Sequence, residues 1–207
     1  MPLIKRNSPL PAAASPARAD TAVTLEALRS PSPDERWNAA RMLGEQPDAV
    51  PALAAALQAE QVPRVREAIV TALMRIGNEA SVAALVPYIR SSDAALRAAT
   101  IDALQSLPAA TAPFLAALLH DADSDVRILA IELVRGMPAA EATRMLCGLL
   151  EHEAHVNVCA SAVDALAELG TAEALPVLHK CARRFAGEPF LPFAISIAIA
   201  HISDATG

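Results

Sequence analysis

The sequence predicts an all-α solenoid of about six antiparallel helix pairs, built from one segment that recurs along the 207 residues. One copy spans residues 63–77, where Val65, Ile69, Leu73 and Ile76 follow one another in steps of three and four. This spacing places them on one stripe of a helix, and no stretch shows the alternation that is typical of a strand. A two-helix unit of about thirty residues cannot bury such a stripe alone, so stacked neighbours supply the core.

An arginine marks the same position in four copies, and these arginines are 30, 31 and 30 residues apart: Arg36, Arg66, Arg97 and Arg127. Cys159 and Pro192 take that position in the last two copies. Asp93 and Asp123 each stand four residues before an arginine, where a carboxylate can cap the second helix of the pair. We therefore expect the four arginines to form a stabilising ladder along the solenoid.

The first helix of several pairs carries an early proline followed by leucines, as at Pro51, Pro113 and Pro176. Pro87 lies deeper in its helix, where the missing donor should bend the backbone. In the first pair, residues 32–35 read as a capping box, with serine at the N-cap and glutamate three residues later. The predicted pairs span residues 21–44, 48–77, 79–107, 109–137, 139–170 and 171–203.

The pattern resembles the HEAT repeat, and most closely the short bacterial type that is named after phycobilisome lyases. Residues 93–107 and 123–137 match it best, with an Asp-x-x-x-Arg turn, and the resemblance covers nearly everything after Asp20. It implies a right-handed solenoid in which the second helices line the inner curve. It also implies an accessory or scaffold role, because bacterial proteins with this repeat often hold another protein during its maturation, regulation or assembly.

Residues 1–20 differ in composition from the solenoid, which we place at residues 21–207. They contain four prolines, an alanine run and basic residues that no apolar segment of signal-peptide length follows, which predicts a disordered tail. A docking peptide centred on residues 3–6 is the alternative. Three cysteines form no paired framework in a chain of this size, so we expect a reducing cytoplasm.

The sixth pair departs most from the pattern, because its second helix is apolar nearly all round. Phe193 and Ile197 take the positions of Glu67 and Thr71 in the second pair, and Phe190 joins them on the outer arc. A solenoid normally ends in a polar outer face, and an uncovered apolar face usually marks an interface. We expect a protein partner or a second copy to bind there, although burial by the chain's own helices is the alternative.

The solenoid is acidic, since the whole chain carries a charge of −6 and the first twenty residues are basic. Asp102, Glu132 and Asp164 occupy equivalent positions five residues after the arginine position, and on the inner curve they would form an acidic strip. Such a strip is either a partner surface or ordinary solvated charge. It argues against phosphate binding, so we expect no nucleic acid partner. The resemblance points the same way, because HEAT-like DNA glycosylases have a basic concave face.

Trp37 is the only tryptophan and follows Arg36 directly. We expect this side chain to face away from the main apolar stripe. Packing against a helix cap is the favoured interpretation, and a partner-binding platform is the alternative.

One cluster of metal-ligand residue types lies in the fifth pair: Cys147, His152, His155 and Cys159. Their types suit zinc, but their spacing matches no common zinc knuckle, so we predict no metal site. The pair His152 and Glu153 also resembles a motif of HEAT-type di-iron hydroxylases. Those enzymes need several such pairs on symmetric repeats, and this chain has one.

The main hypothesis is a non-catalytic interaction module with no cofactor, binding a protein through the sixth pair and the acidic strip. The chain shows no phosphate loop or nucleophile elbow. The uncharged run of the sixth pair is about fifteen residues long and contains Pro192, so it is too short and too broken to span a bilayer. Two alternatives are enzymatic. One is a subunit resembling bilin lyases, and the other is a metal-dependent enzyme using His152, Glu153 and His155.

Overall fold

The computed structural model describes residues 23–206, and in that range it contains α-helices, three short 3-10 helices and no strand. Residues 23–27 are helical and pair with α1 (Pro33–Leu43). The next pairs are α2 (Val50–Ala59) with α3 (Pro63–Ile76), α4 (Glu79–Leu85) with α5 (Ala94–Gln105), and α6 (Pro108–Leu119) with α7 (Ser124–Val134). The last are α8 (Ala139–His152) with α9 (Val156–Leu169), and α10 (Leu175–Arg184) with α11 (Leu191–Thr206). The predicted disordered tail, residues 1–20, lies outside the described residues.

The second helices α1, α3, α5, α7, α9 and α11 pack side by side in chain order, and the first helices form a layer against them. The stripe predicted from the sequence is the core, since Val65, Ile69 and Leu73 are fully buried. Equivalent residues of the other pairs, such as Leu104 and Leu166, are buried in the same way. The predicted all-α stack of about six antiparallel pairs is confirmed.

Two of the three predicted N-terminal caps are present. The Asp93 carboxylate accepts hydrogen bonds from the backbone N–H groups of Ala95 and Leu96, and Asp123 accepts one from Asp125. The predicted start of α1 is confirmed, with Ser32 at the N-cap and Pro33 in the first turn, but the Ser32 side chain makes no cap hydrogen bond. The Ser30 hydroxyl accepts the Ser32 N–H and donates to the Glu35 carboxylate, so Glu35 is not available to the predicted capping box.

The prolines shape the first helices. After α4 the chain continues as a 3-10 helix over Val86–Arg90, which contains Pro87, so the predicted bend appears as a change of helix type. Pro51 and Pro176 lie in the first turns of α2 and α10, where no N–H donor is needed. Pro113 does not start its helix, because α6 already begins at Pro108.

Each arginine at the repeated position makes the same type of hydrogen bond to the backbone. Arg36, Arg66, Arg97 and Arg127 each donate to the carbonyl oxygen six residues earlier, at donor–acceptor distances of 2.8, 2.8, 2.6 and 2.7 Å. In the fifth pair the Cys159 thiol takes this place, with its Sγ 3.5 Å from the Glu153 carbonyl oxygen. Each residue thereby closes the turn between the two helices of its own pair.

Two buried glutamates, which the sequence reasoning missed, connect neighbouring pairs. Glu60 binds Arg36 with distances of 2.7 Å from Nε and 3.0 Å from Nη2. Glu153 binds Arg127 in the same two-pronged way, at 2.7 and 3.2 Å. Both glutamates also accept the backbone N–H two residues on, so each fixes its own turn and the preceding pair together.

Candidate protein-binding surface

The last helix, α11, has one buried side and one exposed apolar side. Its buried side contacts α9 and α10 through Leu191, Ile195 and Ile202. On the other side, Phe193 is 67% exposed and Ile197 is 40% exposed. Phe190, in the loop that precedes the helix, is 80% exposed and completes what we call the terminal apolar surface.

The terminal apolar surface lies where other pairs present polar side chains. In α3 the equivalent positions hold Glu67 and Thr71, and both are exposed to solvent. Among the described residues, the other large apolar side chains that are exposed are Val23 and Met42, in the first pair. The exposed apolar area is therefore concentrated at the two ends of the stack.

The terminal apolar surface carries no charge of its own, since residues 189–200 contain no acidic or basic residue. The Ser196 hydroxyl beside it donates to the Phe193 carbonyl oxygen at 2.7 Å, which satisfies that donor within the helix. A partner that covers this surface would therefore have little polar desolvation to overcome.

The residues of the predicted acidic strip are not three isolated carboxylates. Arg135 binds Asp164 at 2.7 Å and Glu132 at 3.3 Å, and it also pairs with Glu168. Asp102, on α5, is exposed. A basic residue therefore lies within the row, and a role of the row in binding a partner stays a prediction.

Trp37 is half-buried on α1 and contacts the core. The Arg41 guanidinium lies 4.6 Å from the centre of its ring, one helical turn further on, which is a cation–π geometry. The ring thus has an intramolecular partner, and a role as a partner-binding platform stays a prediction.

The predicted metal-ligand types do not converge. His152 and His155 are exposed at the end of α8 and the start of α9, while Cys159 is buried and bonded to backbone. In the part of the chain that the structure describes, no group of three or more His, Cys, Asp or Glu side chains is placed to hold a metal ion. Glu153, the third residue of the metal-enzyme alternative, is committed to Arg127.

Cys147 is a poor nucleophile in this structure. Burial raises the pKa of its thiol to about 11, and the nearby carboxylates of Glu151 and Glu173 act in the same direction. The thiolate is the reactive form of cysteine, so this side chain stays protonated and unreactive near neutral pH.

Arg184 is a structural arginine that the sequence reasoning missed. It donates to the carbonyl oxygens of Leu150, Glu151 and Glu153 at 2.8 to 3.0 Å, and so caps the end of α8. These carbonyl groups lie at the turn of the fifth pair, where Cys159 stands in place of the arginine of the repeat. Arg184 also lowers the pKa of the Cys181 thiol, after the larger effect of a hydrogen bond between Cys181 and Cys159.

Comparison with known sequences decides the family. A profile described as HEAT repeats matches residues 21–105 and 111–186, which together are most of the chain. The chain belongs to the HEAT-repeat family. The resemblance stated from the sequence is thereby confirmed, and the matched residues cover the first five helix pairs and the first helix of the sixth.

Individual relatives show how far the likeness extends. A 74-residue stretch is 43% identical to the bilin biosynthesis protein PecE of Nostoc sp. strain PCC 7120, and it covers 35% of this chain and 29% of that protein. The archaeal HEAT-like repeats protein of Thermococcus onnurineus has a TM-score of 0.53 at 16% identity, with 92% of this chain and 89% of that chain covered. A structure of the CpcE and CpcF complex of phycocyanin lyase from Nostoc has a TM-score of 0.41 at 18% identity, with 97% and 100% covered.

Within residues 23–206, no single helix is long and apolar enough to cross a membrane. Only α5 and α6 taken together reach the required length and composition, and they meet at an angle of 118°.

Proposed function

We propose that this chain is a non-catalytic protein-binding module, an accessory or regulatory factor whose partner docks on the terminal apolar surface. The observation that carries the proposal is the exposure of Phe190, Phe193 and Ile197 on the last repeat of a HEAT stack. Stacked repeats present extended surfaces to partners, and a last repeat left apolar on its outer side usually marks an interface.

The energy available at this surface supports the proposal. Burying one large apolar side chain contributes roughly 1.5–3 kcal/mol, so two phenylalanines and an isoleucine can act as the centre of an interface. The surface has no charged residue that would have to be desolvated. Free Cys147, Cys159 and Cys181 are consistent with a reducing compartment such as the cytoplasm.

The test replaces Phe193 and Ile197 together by aspartate. Both side chains are exposed, so the doubly changed protein should keep its helix content by circular dichroism but lose association with its partner in affinity capture. Static light scattering of the purified protein shows whether the partner is a second copy. The matched control is Met42→Asp, because Met42 is 65% exposed and lies in the first repeat. Normal association of the doubly changed protein would refute the proposal.

A second candidate function is that of an accessory subunit for bilin attachment. It is favoured by the 43% identity to the bilin biosynthesis protein over 74 residues. The raised pKa of Cys147 and the burial of Cys159 and Cys181 argue against a thiol nucleophile on this chain. The test is visible absorbance after co-expression with a bilin source. Retained pigment would support this candidate, and a colourless protein would leave protein binding as the function.

A further inference from the structure

Arg97 differs from the other three arginines at the repeated position, because it lacks a carboxylate partner among the described residues of the next repeat. Arg36 and Arg127 use Nη1 for the carbonyl six residues earlier, and they use Nε and Nη2 for a glutamate of the next repeat. Arg66 likewise binds Asp93 of the next repeat at 2.9 Å. Arg97 makes the carbonyl bond with Nη1, but among the described residues no carboxylate meets its Nε or Nη2.

Arg97 lacks this partner because the fourth repeat has an aspartate where the second and fifth repeats have Glu60 and Glu153. Asp121 stands six residues before Arg127, just as Glu60 stands six before Arg66. It accepts the backbone N–H two residues on, as Glu60 does, but its side chain is one methylene shorter. Its second oxygen pairs with Arg90 instead of Arg97. The guanidinium fork of Arg97 is therefore left without the partner that Arg36 and Arg127 have.

A cavity of about 440 Å³ between the third and fourth repeats is lined in part by Arg97. Its apolar lining includes Ile89, Val126 and Leu129. Arg97 lines it as well, as does Arg90, which is paired with Asp121. Asp123 and Asp125 also line it, and both are exposed. The Asp123 carboxylate caps α7 as Asp93 caps α5, but among the described residues it forms no ion pair with the preceding arginine, whereas Asp93 does.

We propose that Arg97 and this cavity bind a carboxylate on a short aliphatic chain, supplied by a glutamate side chain of a partner protein. The partner's glutamate would bind Arg97 as Glu60 binds Arg36 and as Glu153 binds Arg127. Two parallel N–H to oxygen bonds from arginine suit a carboxylate, and the apolar wall suits the methylene groups. Asp123 and Asp125 repel every anion, and they repel a ligand with several negative charges more strongly than a single carboxylate. This inference rests on the proposed function, since it assigns a chemistry to the partner.

The test uses N-acetyl-glutamate N-methylamide as the probe, with N-acetyl-glutamine N-methylamide as its uncharged control. In a heteronuclear NMR titration, the Arg97 Nε–H resonance and the methyl groups of Val126 and Leu129 should shift saturably with the glutamate probe. The Nε–H resonance of Arg127 should not move, because its fork is occupied. Loss of the charge-assisted bonds should make binding of the glutamine probe at least about tenfold weaker. Equal responses to the two probes would overturn the proposal.

Two variants show whether the fork of Arg97 is the site. R97Q should abolish the methyl shifts. R97K keeps the charge but not the fork, and it is the control that distinguishes loss of the fork from loss of folding. D121E adds the missing methylene group. The longer carboxylate side chain at position 121 should then bind Arg97 within the chain and block binding of the probe. A response that is retained in R97Q, or in D121E at wild-type strength, would contradict the assignment.

The source of the carboxylate is tested separately from the proposed function. Partner capture should be weakened by R97Q and abolished by aspartate at Phe193 and Ile197. Capture that is lost only in the latter variant leaves the proposed function standing and overturns this inference. Probe binding without any effect of R97Q on capture means that the site takes a small organic acid, which overturns the assignment to a partner protein.

Discussion

Replacement of Glu60 by glutamine tests the connection between the first and second repeats. Glu60 and Arg36 have side chains that are 5% and 17% exposed, and they share two hydrogen bonds. The bond from Arg36, and further bonds from the N–H groups of Val62 and Gln61, lower the pKa of Glu60 from 4.5 to about 2. Glutamine keeps the shape of the side chain and removes its charge.

The size of the effect follows from that pKa difference. At 1.36 kcal/mol per pH unit it corresponds to about 3 kcal/mol, and partial solvent screening at Arg36 reduces this to about 2 kcal/mol. In a protein of this size such a loss lowers the melting temperature by about 4–8 °C at pH 7. An ion pair at the surface contributes much less, so Glu45→Gln should cost no more than about 0.5 kcal/mol, because Glu45 is 78% exposed in its pair with Arg75.

The pH dependence gives the decisive comparison. Because the folded pKa of Glu60 is depressed, its contribution is fully present above about pH 5 and is lost as the pH falls toward 2. Urea unfolding of wild type and Glu60→Gln should therefore differ by about 2 kcal/mol at pH 7, and the difference should shrink steadily below pH 5. A difference that is the same at pH 7 and pH 3 would refute this account of the pair.

Two further substitutions test the structure elsewhere. Arg184→Ala removes three hydrogen bonds to the end of α8 and should cost about 1–2 kcal/mol in the free energy of unfolding. Arg183 is also exposed but makes no such bonds, so Arg183→Ala should change this free energy by less than about 0.5 kcal/mol, and equal effects would show that the cap contributes nothing. Gly77→Ala should cost about 1–2 kcal/mol in thermal unfolding, because Gly77 ends α3 at φ 64° and an added Cβ would lie 3.1 Å from Leu107. Gly148→Ala, in α8 with open space around it, should stabilise by about 0.5–1 kcal/mol, and a gain in stability from Gly77→Ala would contradict the left-handed conformation.

The fold was predictable because it depends on local patterns that recur. The stripe of Val65, Ile69 and Leu73 gives the helix and its buried face, and repetition gives the stack. Boundaries were less certain where two signals compete, as at Pro113, which resembles a helix start but lies inside α6. The Ser32 and Glu35 side chains do not form a capping box, because the neighbouring Ser30 hydroxyl donates a hydrogen bond to the Glu35 carboxylate.

The connections between repeats were harder to predict, because each depends on side-chain length and on a contact with the next repeat. Glu60 and Glu153 look like ordinary polar residues between helices, and only their shared place six residues before the arginine position marks them. Arg184 lies outside the repeat spacing, so its replacement of the missing arginine near Cys159 appears only in three dimensions. The exposure of Phe193 and Ile197, by contrast, follows directly from comparing their positions with Glu67 and Thr71.

Radical footprinting of the assembled protein tests the central claim most directly. Phe190 and Phe193 should be labelled strongly in the dilute isolated chain and protected in the complex that affinity capture recovers, while Met42 should be labelled equally in both states. Equal labelling of the two phenylalanines in both states would mean that the last repeat is not where the partner binds.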